Sequence, residues 1–199
     1  GDMKKSHDRF ARMAAVAEQD DGLRAGAGFW AARTALADGH VEDVAPNLEI
    51  AAQYPFTFYG QLALAQLGRD YPFDWAPPPL TDDGLARLVA IAPQTRRAIA
   101  LMEVGKDVEA DIEFRWINGL LDDEVALDLL ALVSMYDLPA AQLDIAATRR
   151  GKQFASGLFP IPHYEPANGF TADRALLYAL MRQESKFKIE ATSRVGAKG

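Results

Sequence analysis

Hydrophobic positions recur along this chain at intervals of three and four residues, the spacing that gathers them on one face of an α-helix. The pattern predicts helices over residues 8–18, 23–37, 41–53, 56–67, 82–91, 93–103, 108–120, 124–136, 139–149 and 174–189. Gly39 and Gly68 fall within two residues of the ends of two of these runs, as helix C-caps do. Pro46 is the awkward residue, because an interior proline removes an amide and kinks the helix unless it falls in the first turn. Alternation with period two is nowhere sustained, so the expected fold class is all-α. The junctions RTALADGHVEDVAPNLEIAA and ALMEVGKDVEADIEFRWING look alike: each places a glycine just past one helix and an acidic, apolar helix after it. That is the pattern of stacked helix pairs forming a superhelical scaffold, and an irregular helical bundle shows the same caps.

Two proline-rich stretches interrupt the helices: RDYPFDWAPPPL after Gly68, and GLFPIPHYEPANGF over residues 157–170. In the second, Pro160, Pro162 and Pro166 bar continued helix, while Phe159, Tyr164 and Phe170 can anchor the strap on a surface. The expected organisation is a scaffold over 1–156, a linker over 157–170 and a distinct C-terminal element over 171–199. That last element opens like a helix, with Thr171 or Asp173 as its N-cap. Leu177, Leu180, Met181 and Phe187 share one face, which is expected to be buried. Glu184 falls on the same face. A carboxyl turned towards apolar surroundings favours its protonated form and can serve as a general acid. Pairing with Arg182, Lys186 or Lys188 at the edge of the stripe accounts for the same position in structural terms.

The residues after Glu184 add identity to spacing. The run ALLYALMRQESKFKIEATSRVGAKG resembles the opening of the catalytic domain of the soluble lytic transglycosylases of bacterial cell walls. In that family the glutamate of the Arg-Gln-Glu-Ser segment is the catalytic acid, and a Ser-x-x-Gly-Ala-x-Gly segment follows at this spacing. FTFYGQLALAQLG resembles a segment of the helical superhelix that precedes the catalytic domain in the larger members, and the strap over 157–170 resembles their lead into it. The resemblance implies a peptidoglycan lytic transglycosylase of the periplasm, with Glu184 catalytic, Ser193 hydrogen-bonding the glutamate or a substrate acetamido group, and Gly196 allowing close backbone approach. It implies the first helix of a lysozyme-like domain, no cofactor and no metal. Partners would be peptidoglycan glycan strands and envelope proteins. The family's pattern continues with Gly-Leu-Met-Gln, so the expectation is a piece of a longer protein, inactive alone, whose secretory leader has been removed. A non-catalytic helical interaction module of the cell envelope is the alternative.

Charge and composition narrow the classes further. A net charge of −7 over 199 residues argues against a non-specific nucleic-acid binder, which needs a basic face. With 49% hydrophobic residues the chain can bury a substantial core. The absence of cysteine excludes disulfides and thiolate metal sites. No apolar run reaches membrane length, so no transmembrane segment is expected. His7, His40 and His163 are scattered without metal-ligand spacing. Trp30, Trp75 and Trp116 could stack on sugars, although aromatics at helical spacing more often belong to a core. Asp20-Asp21, Asp82-Asp83 and Asp122-Asp123 precede helices and suit the positive end of the dipole.

Overall fold

A computed structural model describes residues 3–16, 20–149, 151–193 and 195–196. Over these the fold is all-α, with helices packed on one another and no strand longer than the single bridging residue Thr192. The predicted continuation of the first helix to Glu18, and the Ala197-Lys198-Gly199 end of the motif, lie outside the described residues. The chain divides into two compact units, Gly1–Pro72 and Phe73–Gly199. Their boundary falls within the first proline-rich stretch, and the 157–170 strap belongs to the second unit.

The first unit contains α1 (Met3–Ala14), α2 (Asp21–Asp38), α3 (Val44–Ala52) and α4 (Phe58–Gln66), each in contact with the next or next but one. Asp20 starts α2 by accepting from the amides of Gly22 at 2.8 Å and Leu23 at 3.4 Å, and Gly39 ends it with φ 83°. Small residues on α2 let its neighbours close in: a Cβ at Gly28 would lie 2.9 Å from the Asn47 carbonyl and 3.1 Å from the Ala51 amide of α3. Pro46 proves unproblematic for a local reason. A 3-10 turn at Val41–Asp43 precedes α3, so the proline sits in the first turn, where its amide needs no partner. Phe29, Ala32, Leu48, Ala51 and Ala63 form the core of this unit.

The second unit is built from α5 (Asp82–Ile91), α6 (Thr95–Glu103), α7 (Asp107–Asn118), α8 (Asp123–Met135), α9 (Pro139–Arg149), the short α10 (Ala155–Leu158) and α11 (Arg174–Ser185). α8 is apolar around most of its circumference and sits centrally, with Leu129, Leu130, Leu132 and Val133 buried against Leu88, Phe114, Ile145 and Phe154. Asp122 caps α8 on the Val125 amide at 3.0 Å, and the cap of α5 is Thr81, on Gly84 at 3.0 Å, rather than Asp82. Arg149, at the end of α9, satisfies carbonyls at and just after the C-terminus of α7. Its Nη2 donates to Asn118 O at 2.6 Å and Leu121 O at 2.7 Å, and its Nη1 pairs with Asp123 at 2.9 Å. Gly157 lets α10 press on α9, since a Cβ there would stand 2.7 Å from the Gln142 carbonyl.

Candidate functional site

α11 begins where the sequence indicates: Asp173 Oδ1 accepts from the Leu176 amide at 3.0 Å. It ends four residues earlier than the periodicity predicts, at Ser185 rather than Ile189. Lys186 and Phe187 both adopt left-handed backbone, with φ of 53° and 61°. The Lys186 and Phe187 amides then turn back onto the Arg182 and Met181 carbonyls at 3.1 and 3.3 Å, closing the helix as a Schellman-type cap does. Left-handed backbone is costly for a residue with a Cβ. Burial of the Phe187 ring offsets that cost, since the ring drops among Ala140, Leu143 and Tyr178, edged by Tyr164 and Phe170.

This cap reverses the expected burial of the helix. Tyr178 is the residue of α11 that is buried, its hydroxyl donating to Pro162 O at 2.7 Å and accepting from Arg174 Nε at 3.0 Å. Leu180 and Met181 are not buried but 49% and 36% exposed, and Leu176 is exposed as well. Only Leu177 among the helical members of the expected stripe is partly covered. The stripe faces outward because Tyr178, Arg174 and Arg182, one position round the helix, take the inner face. Glu184 therefore stands in water in the last turn, beside exposed Leu180 and Met181 and not within an apolar enclosure. The pairing with Arg182 is also absent, for Arg182 turns to the other side, its Nε donating to Leu158 O at 3.1 Å and its guanidinium lying over the Phe159 ring.

Downstream, Lys188 and Ala191 continue the chain in turns, and Glu190 is exposed. Ser193 and Gly196 belong to one turn, in which the Gly196 amide donates to Ser193 O at 3.0 Å. Gly196 has φ 83° and open space where a Cβ would be, so backbone conformation rather than crowding asks for glycine there. The structure thus places Glu184, Ser193 and Gly196 on one exposed C-terminal segment, anchored by Phe187.

A cavity of about 360 Å³ adjoins that anchor, lined by Asp111, Tyr136, Tyr164, Phe187 and Glu190 among others. Burial holds the Asp111 carboxyl above its usual range in spite of Arg115, whose Nε lies 2.8 Å from Oδ2. Burial also raises Tyr164. His40, Glu42 and Asp43 have ligand atoms within 4.8 Å of one another, at the surface of the first unit. The Glu42 carboxyl is held low by a backbone hydrogen bond and then by His40. Trp30, Trp75 and Trp116 are all at least 42% exposed, so the core placement expected of them does not hold. No described helix is long and apolar enough to cross a membrane. Sequence reading missed Arg174 and Arg182 as inner-face residues; the signal was present in their i, i+4, i+8 register with Tyr178. No protein-family model matches the chain, and no curated protein sequence matches it.

Proposed function

We propose that this chain presents the acid/base glutamate of a peptidoglycan lytic transglycosylase, Glu184, at the end of α11 on a helical scaffold. The observation that carries the reading is the Arg-Gln-Glu-Ser run with its serine–glycine turn at Ser193 and Gly196, set on an exposed edge that a glycan strand can reach. A conventional glycosidase needs two carboxylates flanking the scissile bond. A lytic transglycosylase needs one. Glu184 donates its proton to the oxygen bridging N-acetylmuramic acid and N-acetylglucosamine while the muramic acetamido oxygen assists at the anomeric carbon. The resulting carboxylate then takes the proton of the 6-hydroxyl, whose oxygen closes the 1,6-anhydro ring, and no water enters the product. Ser193 would hydrogen-bond the acetamido group or the glutamate. An acid in this role works in a dry setting. The exposed Leu180 and Met181 beside Glu184 form an apolar border that substrate or further protein would cover.

Digestion of cell-wall sacculi by the protein in its natural form, with products identified by mass spectrometry, tests the proposal. Anhydromuropeptides that disappear in Glu184→Gln are the expected result; reducing-end hydrolysis products, or release unchanged in Glu184→Gln, would refute it. A second reading, a non-catalytic helical interaction module of the cell envelope, draws on the outward stripe of Leu176, Leu180 and Met181. It is supported if the protein folds intact and clears no cell wall.

A further inference from the structure

The chain holds three asparagines, and two of them, Asn118 and Asn168, precede glycine. That pair of residues has a chemistry of its own. The amide nitrogen of a following glycine meets no side chain on its way to the asparagine carboxamide, so it can attack the side-chain carbon and close a five-membered ring. Folding decides whether the ring closes. Closure needs rotation about both ψ and χ1 of the asparagine, and a glycine amide released from its own hydrogen bond.

The two sites are held in opposite ways. Asn118 ends α7 and is 3% exposed, with its side chain tied at both ends. Its Nδ2 donates to Asp144 Oδ2 at 3.2 Å and to Thr148 Oγ1 at 3.1 Å, and its Oδ1 accepts from Arg149 Nη2 at 3.2 Å. Helical backbone fixes its ψ, and the Gly119 amide donates to Trp116 O at 3.2 Å. Asn47 precedes Leu48 instead of glycine and is tied within α3, donating to Asp43 O at 2.8 Å. Asn168 has none of these restraints. It is exposed in the turn Pro166-Ala167-Asn168-Gly169 of the strap, and its carboxamide makes no hydrogen bond among the described residues. The Gly169 amide donates to Pro166 O at 2.8 Å, and breaking that one exposed bond frees the nucleophile.

We propose that Asn168 is a site of spontaneous deamidation, and that its β-linked product unseats Phe170. The Gly169 nitrogen loses its proton to solvent base and bonds to Asn168 Cγ. The Cγ–Nδ2 bond then breaks, and the nitrogen takes a proton from solvent and leaves as ammonia, giving a succinimide. Water opens the ring at either carbonyl. Breaking the bond from nitrogen to Cγ yields ordinary aspartate; breaking the bond from nitrogen to the main-chain carbonyl carbon yields isoaspartate, whose main chain runs through Cβ and Cγ and is one carbon longer. That carbon enters just before Gly169 and Phe170. The Phe170 ring meets Tyr178 edge to face at 6.2 Å, and the Arg174 guanidinium lies 5.5 Å from its centroid. Phe170 also borders the cluster of Ala140, Leu143, Tyr178 and Phe187 that seats α11. A longer strap with an added negative charge loosens the first turns of that helix. The inference holds whether or not Glu184 is catalytic.

The test is ageing of the full chain at mildly alkaline pH, folded and in urea, followed by peptide mapping in which the mass gain of an acid over an amide marks deamidation. One exposed hydrogen bond restrains Asn168, so its rate in the folded chain should lie within about tenfold of its rate in urea. Asn118, behind its network, should react at least about 100-fold more slowly folded than in urea. Asp-N protease, which cuts before aspartate and not before isoaspartate, tells the products apart. Hydrogen exchange over residues 174–178 should quicken in the aged protein and stay unchanged in Asn168→Gln aged beside it, because glutamine would have to close a larger, slower-forming ring. Folding that slows Asn168 as much as Asn118, a deamidated product that Asp-N cuts completely, or exchange over 174–178 that ageing leaves unchanged would each overturn the proposal.

Discussion

Phe187→Ala should release α11 from the second unit without unfolding that unit. The Phe187 side chain is 5% exposed and packs with Ala140, Leu143 and Tyr178, whereas the outer face of α11 is in water. Removing a buried phenyl ring from a packed site costs about 3 to 5 kcal/mol. Here nearly all of that loss falls on the docked state of one helix, because α8 and α9 retain their own core through Leu129, Leu130 and Ile145. At 1.4 kcal/mol per tenfold, even the lower figure multiplies the opening equilibrium of α11 by about 100, limited by the exchange rate of free peptide. Amide hydrogen exchange read by mass spectrometry is the assay: peptides covering residues 176–187 should exchange faster by that factor, and those covering residues 125–135 should not change. Lys186→Gly supplies the opposite sign, since glycine at φ 53° removes about 1 kcal/mol of left-handed strain and should slow the same amides about fivefold. Unchanged exchange over 176–187 in Phe187→Ala, or a loss shared equally by α8, would refute the reasoning.

Other outcomes follow from equally local causes. Arg149→Ala strips partners from the Asn118 and Leu121 carbonyls and should lower the stability of the second unit by about 2 to 3 kcal/mol in urea unfolding, with an unchanged m-value. Gly28→Ala forces a methyl against the α3 backbone and should cost about 1 to 3 kcal/mol, read as a fall in the unfolding midpoint of the first unit. The native state holds the Asp111 proton more tightly than the unfolded chain does, so stability falls as pH rises from the ordinary aspartate range through the raised folded value; Asp111→Asn should flatten that fall in a pH series of urea midpoints. Sacculi incubated with this 199-residue polypeptide alone should release no anhydromuropeptides, since Glu184 stands in water and general acid catalysis contributes only about 10²- to 10⁴-fold by itself.

Helix spacing and caps were legible in the chain because they are properties of neighbouring residues. The limits Asp82–Ile91 and Pro139–Arg149 follow from periodicity and from the residues at their ends, and Asp20 and Asp122 announce the helices they cap. The Arg-Gln-Glu-Ser run and the serine–glycine turn are equally local, so the candidate residues Glu184, Ser193 and Gly196 could be named without coordinates. Which face of α11 turns inward was a different kind of question. Periodicity marks an apolar stripe, but burial depends on what stands opposite, and α9 offers a hollow that receives Tyr178 and a Phe187 swung in by two left-handed residues. That choice turns Leu180, Met181 and Glu184 to solvent. A cavity beneath the helix could not be read from the sequence either, because its walls come from residues as far apart as Trp75 and Arg182.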